Sequence, residues 1–179
     1  MARKDLFTGR SGQLALMAEF LHRELNVAIP EVDVGDDIVV VQDDNDQVTR
    51  VQVKTANAAE QKIAGRFTAQ FKLPLDQLEK GPKYLVYALV VRHNGRWEEF
   101  VIVRRSILDE LRTKYALGSP DGQGNLILSL SFGPEEATNK GLNLHPFRAC
   151  FTPWPPADVI PGGVIPASHE VAAVPPENE

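Results

Sequence analysis

Cysteine is all but missing from this chain. Among 179 residues only Cys150 carries a thiol, which excludes an internal disulfide or a four-cysteine zinc site and predicts a reducing compartment. The four histidines include His22 and His93, which lack metal-ligand spacing and are expected at the surface. No apolar run reaches the roughly 20 residues that span a bilayer. The opening residues, 1–9, have no apolar signal-peptide core, so a cytoplasmic protein without membrane contact is expected. Glycine-rich phosphate loops are absent. Ser11, Ser106 and Cys150 have no visible base partner, which argues against nucleophilic catalysis. Lysine and arginine stop at Arg148. The net charge is −5, and four of the negative charges (Asp158, Glu170, Glu177, Glu179) lie beyond that point. The rest is nearly neutral and can still present a local basic strip to phosphates.

What is present suits a globular domain of ordinary size: 43% hydrophobic and 24% charged residues. Its organising stretch is Val32 to Thr55. Ile38 to Val41 are β-branched, 43–47 is turn chemistry (Asp-Asp-Asn-Asp-Gln), and a second strand returns to Lys54. Alternation in the return strand puts Val51 and Val53 on one face and Arg50, Gln52 and Lys54 on the other.

Around this hairpin the chain reads in order as follows. Residues 1–10 form a polar lead. A helix runs from Ser11, as N-cap, to about Asn26, with Leu14, Met17, Leu21 and Leu25 as its apolar stripe, widened by Leu16 and Phe20, Gln13 inward and Glu19 on the wet side. A short edge strand spans Val27 to Asp33, weakened by Pro30. Residues 56–71 are ambiguous, with a strand near Arg66–Lys72. A short helix spans Pro74 to Lys80. Tyr84 to Val91 is the best central strand, and Asn94-Gly95 turns it into a partner from Trp97 to Arg104. A helix starts at Ser106 and stops at Gly118. Leu126 to Phe132 is a strand, and Pro134 to Lys140 is expected as one or two helical turns. Trp97 and Tyr84 are expected in the core. Eight of the 13 prolines fall from Pro146 onward. The expected division is therefore a domain over 1–145 and a Pro-rich extended or disordered tail over 146–179, which can instead lie across the domain.

Asp37, at the mouth of the first strand, can meet Gln52 and Lys54 on one side of the hairpin. A carboxylate, an amide oxygen and the Val53 carbonyl suit a hard divalent cation, and a neighbouring ammonium can orient water or stabilise a phosphorane-like charge. Lys62, Arg66, Lys72, Arg92, Arg96, Arg104 and Arg105 are solubilising by default, and some can track a phosphate backbone.

Residues 9–13, 35–40 (Gly-Asp-Asp-Ile-Val-Val) and 51–54 (Val-Gln-Val-Lys) together resemble the PD-(D/E)xK nuclease superfamily in its Gln-x-Lys form. The resemblance covers roughly residues 9–110. It implies an α/β (α+β) restriction endonuclease-like core, a central mixed sheet flanked by helices in α-β-β-β-α-β order. It also implies a Mg2+- or Mn2+-dependent DNA endonuclease of the kind found in mobile-element or anti-phage defence systems, acting as a homodimer or with a partner subunit. By position Asp37 matches the acidic metal ligand, Gln52 the second ligand and Lys54 the catalytic lysine. Gln13 falls where the family's helix carries glutamate. With both glutamines neutral, Glu19, Asp33 or Asp36 is left to add charge, or the site is weak and kept for binding nucleic acid or a protein.

Overall fold

In a computed structural model, which describes residues 3–32 and 35–165, every residue from Val86 to Val91 is fully buried. A strand apolar on both faces has to be covered on both. The chain builds one layer for each. Its elements are α1 (Arg3–Leu21), β1 (Asn26–Ala28), β2 (Ile38–Gln42), β3 (Gln47–Asn57), β4 (Ala59–Glu60), β5 (Phe67–Pro74) and α2 (Leu75–Lys80). There follow β6 (Val86–His93), β7 (Arg96–Arg104), α3 (Arg105–Tyr115), β8 (Ser119–Pro120), β9 (Asn125–Gly133), β10 (Glu136–Asn139), β11 (Leu142–Asn143) and a 3-10 turn (His145–Phe147).

Five strands in the order β1-β2-β3-β6-β7 form the central sheet. All its pairs are antiparallel except β3 with β6, which run parallel from Val51 beside Val86 to Asn57 beside Arg92. The fold is thus α+β, a central mixed sheet flanked by helices. The α-β-β-β-α-β order is present, with β4 and β5 inserted before α2. Those two join a second, antiparallel sheet, β11-β10-β9-β5-β4, with β8 on β9.

One face of the central sheet, Ile38, Val40, Val51, Ala88 and Ile102, packs on Leu16 and Phe20 of α1. The other, Tyr87, Leu89, Val91 and Val103, packs on the second sheet and on Leu78 of α2 and Leu108 of α3. Asn94 and Gly95 have φ of 48° and 82°, the left-handed pair that a two-residue hairpin turn requires.

Several expectations are corrected. Residues 3–10 are helical, and Ser11 lies inside α1, where its hydroxyl donates to the Thr8 carbonyl. Leu14 and Leu21 are more than half exposed, while Gly12, Gln13, Leu16 and Phe20 are buried. The helix is apolar on opposite sides, so periodicity could not choose a face. Gly12 chooses it: a Cβ there would overlap Thr55 Cγ2 and stand 2.9 Å from Trp97 Cη2, so the helix approaches the sheet only along this line. The first strand is shorter than expected, although it does sit at the edge. Residues 136–139 are a strand rather than helical turns, because pairing with β9 overrides local preference. Tyr84 is exposed. His93 is mostly buried, held between Glu60 and Glu98 with its ring stacked on Phe67 at 4.2 Å. Ser106 is not a helix cap; its hydroxyl bonds Asp158.

After Pro146 the chain lies across the domain as far as it is described. Phe147, Phe151, Trp154 and Val164 are buried, and Arg104 donates to the Pro156 carbonyl. Residues 166–179 lie outside the described residues. Among the described residues no helix is long and apolar enough to cross a membrane.

Candidate functional site

Hairpin register decides where Asp37 sits. Ile38 stands beside Val51, and one step earlier the Asp37 N–H donates to the Val51 carbonyl at 2.9 Å. Its carboxylate then falls beside the next stretch of β3. Asp37 Oδ2 accepts the Val53 N–H at 2.7 Å and a further hydrogen bond from the Gln52 amide. In an extended strand the N–H and C=O of one residue leave by the same edge. The Val53 carbonyl therefore leaves β3 on the Asp37 side. Lys54 follows two residues after Gln52, on the same strand face.

Gln13 reaches this point from α1. Its Nε2 donates to the Asp37 main-chain carbonyl at 2.6 Å, and its Oε1 accepts from Arg10 at 2.7 Å. It holds the backbone of Asp37 rather than its carboxylate. Gln52 is 6% exposed. Its Oε1 accepts from Gln77 Nε2 at 2.8 Å. Gln77, on α2, also donates to the Gly35 carbonyl and accepts the Tyr87 hydroxyl at 2.9 Å. Tyr87 is fully buried, and that desolvation raises its pKa far above the ordinary phenol value, so it stays a neutral donor. Neither Gln77 nor Tyr87 was singled out from sequence. Their partners lie 10 to 42 residues away along the chain, beyond the reach of any local pattern.

Adjacent aspartates take opposite roles. Asp36 is 4% exposed and grips Arg50 through both oxygens, with Arg50 Nε at 2.9 Å. That hydrogen bond is the main cause of the raised Arg50 pKa. Asp36 is thus committed to the fold. Glu19 bonds Arg23 at 2.6 Å on the outer side of α1, and Asp33 lies outside the described residues. Neither Glu19 nor Asp36 supplies a second carboxylate. Among the described residues no group of three or more His, Cys, Asp or Glu is placed to hold a metal ion.

Lys54 opens onto a cleft of about 660 Å³ bounded by Asp5 and Thr8 of α1, Val53 and Lys54 of β3, and Gln70 and Lys72 of β5. Two lysines thus face one cleft, with Lys72 also 3.0 Å from Asp121. The other basic residues divide. Arg66 pairs with Glu136 at 2.7 Å, and Arg105 binds the Leu78, Glu79 and Pro82 carbonyls at the end of α2. Arg104 secures Pro156. Lys62, Arg92 and Arg96 remain exposed.

One carboxylate (Asp37) and one main-chain carbonyl (Val53) make an oxygen set of low charge; Gln52, expected to add its amide oxygen, instead turns that oxygen to Gln77 and its N–H to Asp37. That chemistry fits a hard divalent cation that retains several waters, Mg2+ or Mn2+. No family model and no curated protein matches the chain. Among solved structures it is similar to the bacterial homing endonuclease I-Ssp6803I, at 16% sequence identity over 84% of this chain and 90% of that one, with a TM-score of 0.49. So slight a likeness carries no argument about function, which has to come from the hairpin and the cleft beside it.

Proposed function

We propose that the chain is a metal-dependent DNA endonuclease of the PD-(D/E)xK type, hydrolysing phosphodiester bonds at the β2–β3 hairpin. The observation that carries this reading is the meeting of Asp37 with Gln52 and Val53, with Lys54 two residues on at the cleft. Asp37, the Val53 carbonyl and Gln52 would hold Mg2+ or Mn2+. When bound, the cation polarises a phosphoryl oxygen and lowers the pKa of water. The chain's own groups do the rest. Gln13 and the Val53 N–H fix the main chain and the carboxylate of Asp37. The Lys54 ammonium orients the attacking water and stabilises the negative charge gathering on the phosphoryl oxygens. Lys72 offers a second cation to the backbone of DNA in the cleft. One such site cuts one strand, so cleavage of both requires a second copy or a partner subunit.

Nicking of supercoiled plasmid in Mg2+ or Mn2+ tests this. Wild type nicks, and Asp37→Ala and Lys54→Ala each lose about 100-fold or more. Equal nicking by all three proteins defeats the reading. A second reading has one specific observation behind it: Gln52 presents an N–H, not an oxygen, to Asp37. A domain with that site held shut would bind DNA without cutting it. Intact DNA binding with no nicking by wild type in either cation would establish that alternative.

A further inference from the structure

We infer that Gln77 is a positioning residue that decides which atom of Gln52 faces Asp37, and so governs how tightly the hairpin takes a divalent cation. The inference rests on the reading of the hairpin as a cation site. Its argument is one of hydrogen-bond parity. The Gly35 carbonyl can only accept, so the Gln77 atom beside it is Nε2. That leaves Gln77 Oε1 for the Tyr87 hydroxyl, which donates to it. The second hydrogen of Gln77 Nε2 needs an acceptor and finds Gln52 Oε1. The Gln52 NH2 group is then left to face the Asp37 carboxylate.

The relay is anchored at its two ends by groups that can only accept, the Gly35 carbonyl and the Asp37 carboxylate, and the Tyr87 hydroxyl turns to suit them. Gly35 has φ of +96°, and a Cβ on it would stand 2.8 Å from Gln77 Nε2, so only glycine lets its carbonyl be approached this way. Tyr87 is buried and neutral. For Gln52 to present its oxygen to a cation beside Asp37, its amide has to turn over. Its NH2 group would then meet the NH2 of Gln77, donor against donor. Gln77 therefore opposes the ligating orientation, with no charge of its own. The same donor has the reverse effect on a carboxylate at position 52. Both carboxylate oxygens accept, so Gln77 would hold one while the other faces the cation.

This sign reversal provides the test. Mn2+ is titrated calorimetrically into full-length wild type, Gln77→Met, Gln52→Glu and the Gln52→Glu/Gln77→Met double variant, with thermal melts to verify folding. In the wild-type background, loss of the Gln77 donor tightens Mn2+ binding about 10-fold. In the Gln52→Glu background the same substitution weakens it about 10-fold, the usual size for a residue that orients a ligand. Gln77 is only half-buried; should the methionine variants not fold, Gln77→Ala removes the same donor and leaves room for water. A purely structural role would weaken binding in both backgrounds, and that result overturns the inference while leaving the cation site standing. If folded Gln52→Glu takes no Mn2+, the cation-site reading and the inference fall together.

Discussion

The two faces of the central sheet are built to different ends. Toward α1 the residues are Ile38, Val40, Val51, Val53 and Ala88, sealed by Leu16, Phe20, Phe151 and Trp154. On the opposite face Asp37, just before β2, and Arg50, Gln52 and Lys54 of β3 make a polar row that turns apolar at Ala56. Strand periodicity accounts for this: Val51 and Val53 send their side chains into the α1 core. Gln52 and Lys54, alternating with them, face the site, and Arg50 on that same side secures Asp36. The apolar face supplies a rigid floor, so the polar face can spend its hydrogen bonds on arranging Asp37.

If that division holds, substitutions on the two faces should fail in different ways. The largest effect is expected for Phe20→Ala. Its ring packs edge-on to Phe151 and Trp154 at 5.3 and 4.7 Å, and its loss costs about 3–5 kcal/mol in urea unfolding. Lys54→Met on the other face should change unfolding by less than about 1 kcal/mol, although it removes nicking. A Lys54→Met protein as unstable as Phe20→Ala would break the comparison. Asp36→Ala sharpens it, because that carboxylate stands beside Asp37 yet serves the fold. Its removal costs about 1–3 kcal/mol by chemical denaturation, at the lower end because Arg50 can turn to water.

Gly12→Ala tests how closely α1 must sit on the floor. The helix gains about 1 kcal/mol in propensity, but the clash with the stiff Thr55 methyl costs about 1–3 kcal/mol, so a modest net loss is expected in the same assay. The smallest effect belongs to His93, at the end of β6, where its ring stacks on Phe67. Glu60, then Glu98, raise its pKa above 6.5. A raised histidine pKa stabilises fully below the unfolded value and loses that contribution as pH rises through the folded one. Thermal midpoints of wild type and His93→Gln should therefore differ most at acidic pH and converge above the folded pKa.

Much of this was legible along the chain. The hairpin follows from four β-branched residues and an acidic turn, β6 from its unbroken apolar run, and the β6–β7 turn from Asn94-Gly95. Asp37, Gln52 and Val53 meet because pairing and alternation are local rules. What could not be read depends on partners distant in sequence. Leu14 and Leu21 are as apolar as Leu16 and Phe20, and only the sheet's contour at Thr55 and Trp97 selects between them. Residues 136–139 become a strand because β9 is there to receive them. Phe147, Phe151 and Trp154 sit among prolines that suggested a loose end, yet Phe151 and Trp154 roof the α1 side and Phe147 packs into the core on the other face. Gln77 looks like any polar residue of a short helix until α2 is docked beside Gly35 and Tyr87.

The parallel pairing of β3 with β6 has a consequence in time. Between Asn57 and Val86 the chain first travels through β4, β5 and α2, and closing a loop of that length is slow compared with forming a hairpin. The cradle around Asp37 should thus appear early, while the amides linking β3, α2 and β6 arrive only with the last strand exchange. Pulsed hydrogen exchange during refolding would register that sequence as protection of the Val53 amide ahead of the Ala88 amide, which faces β3 across the parallel pairing.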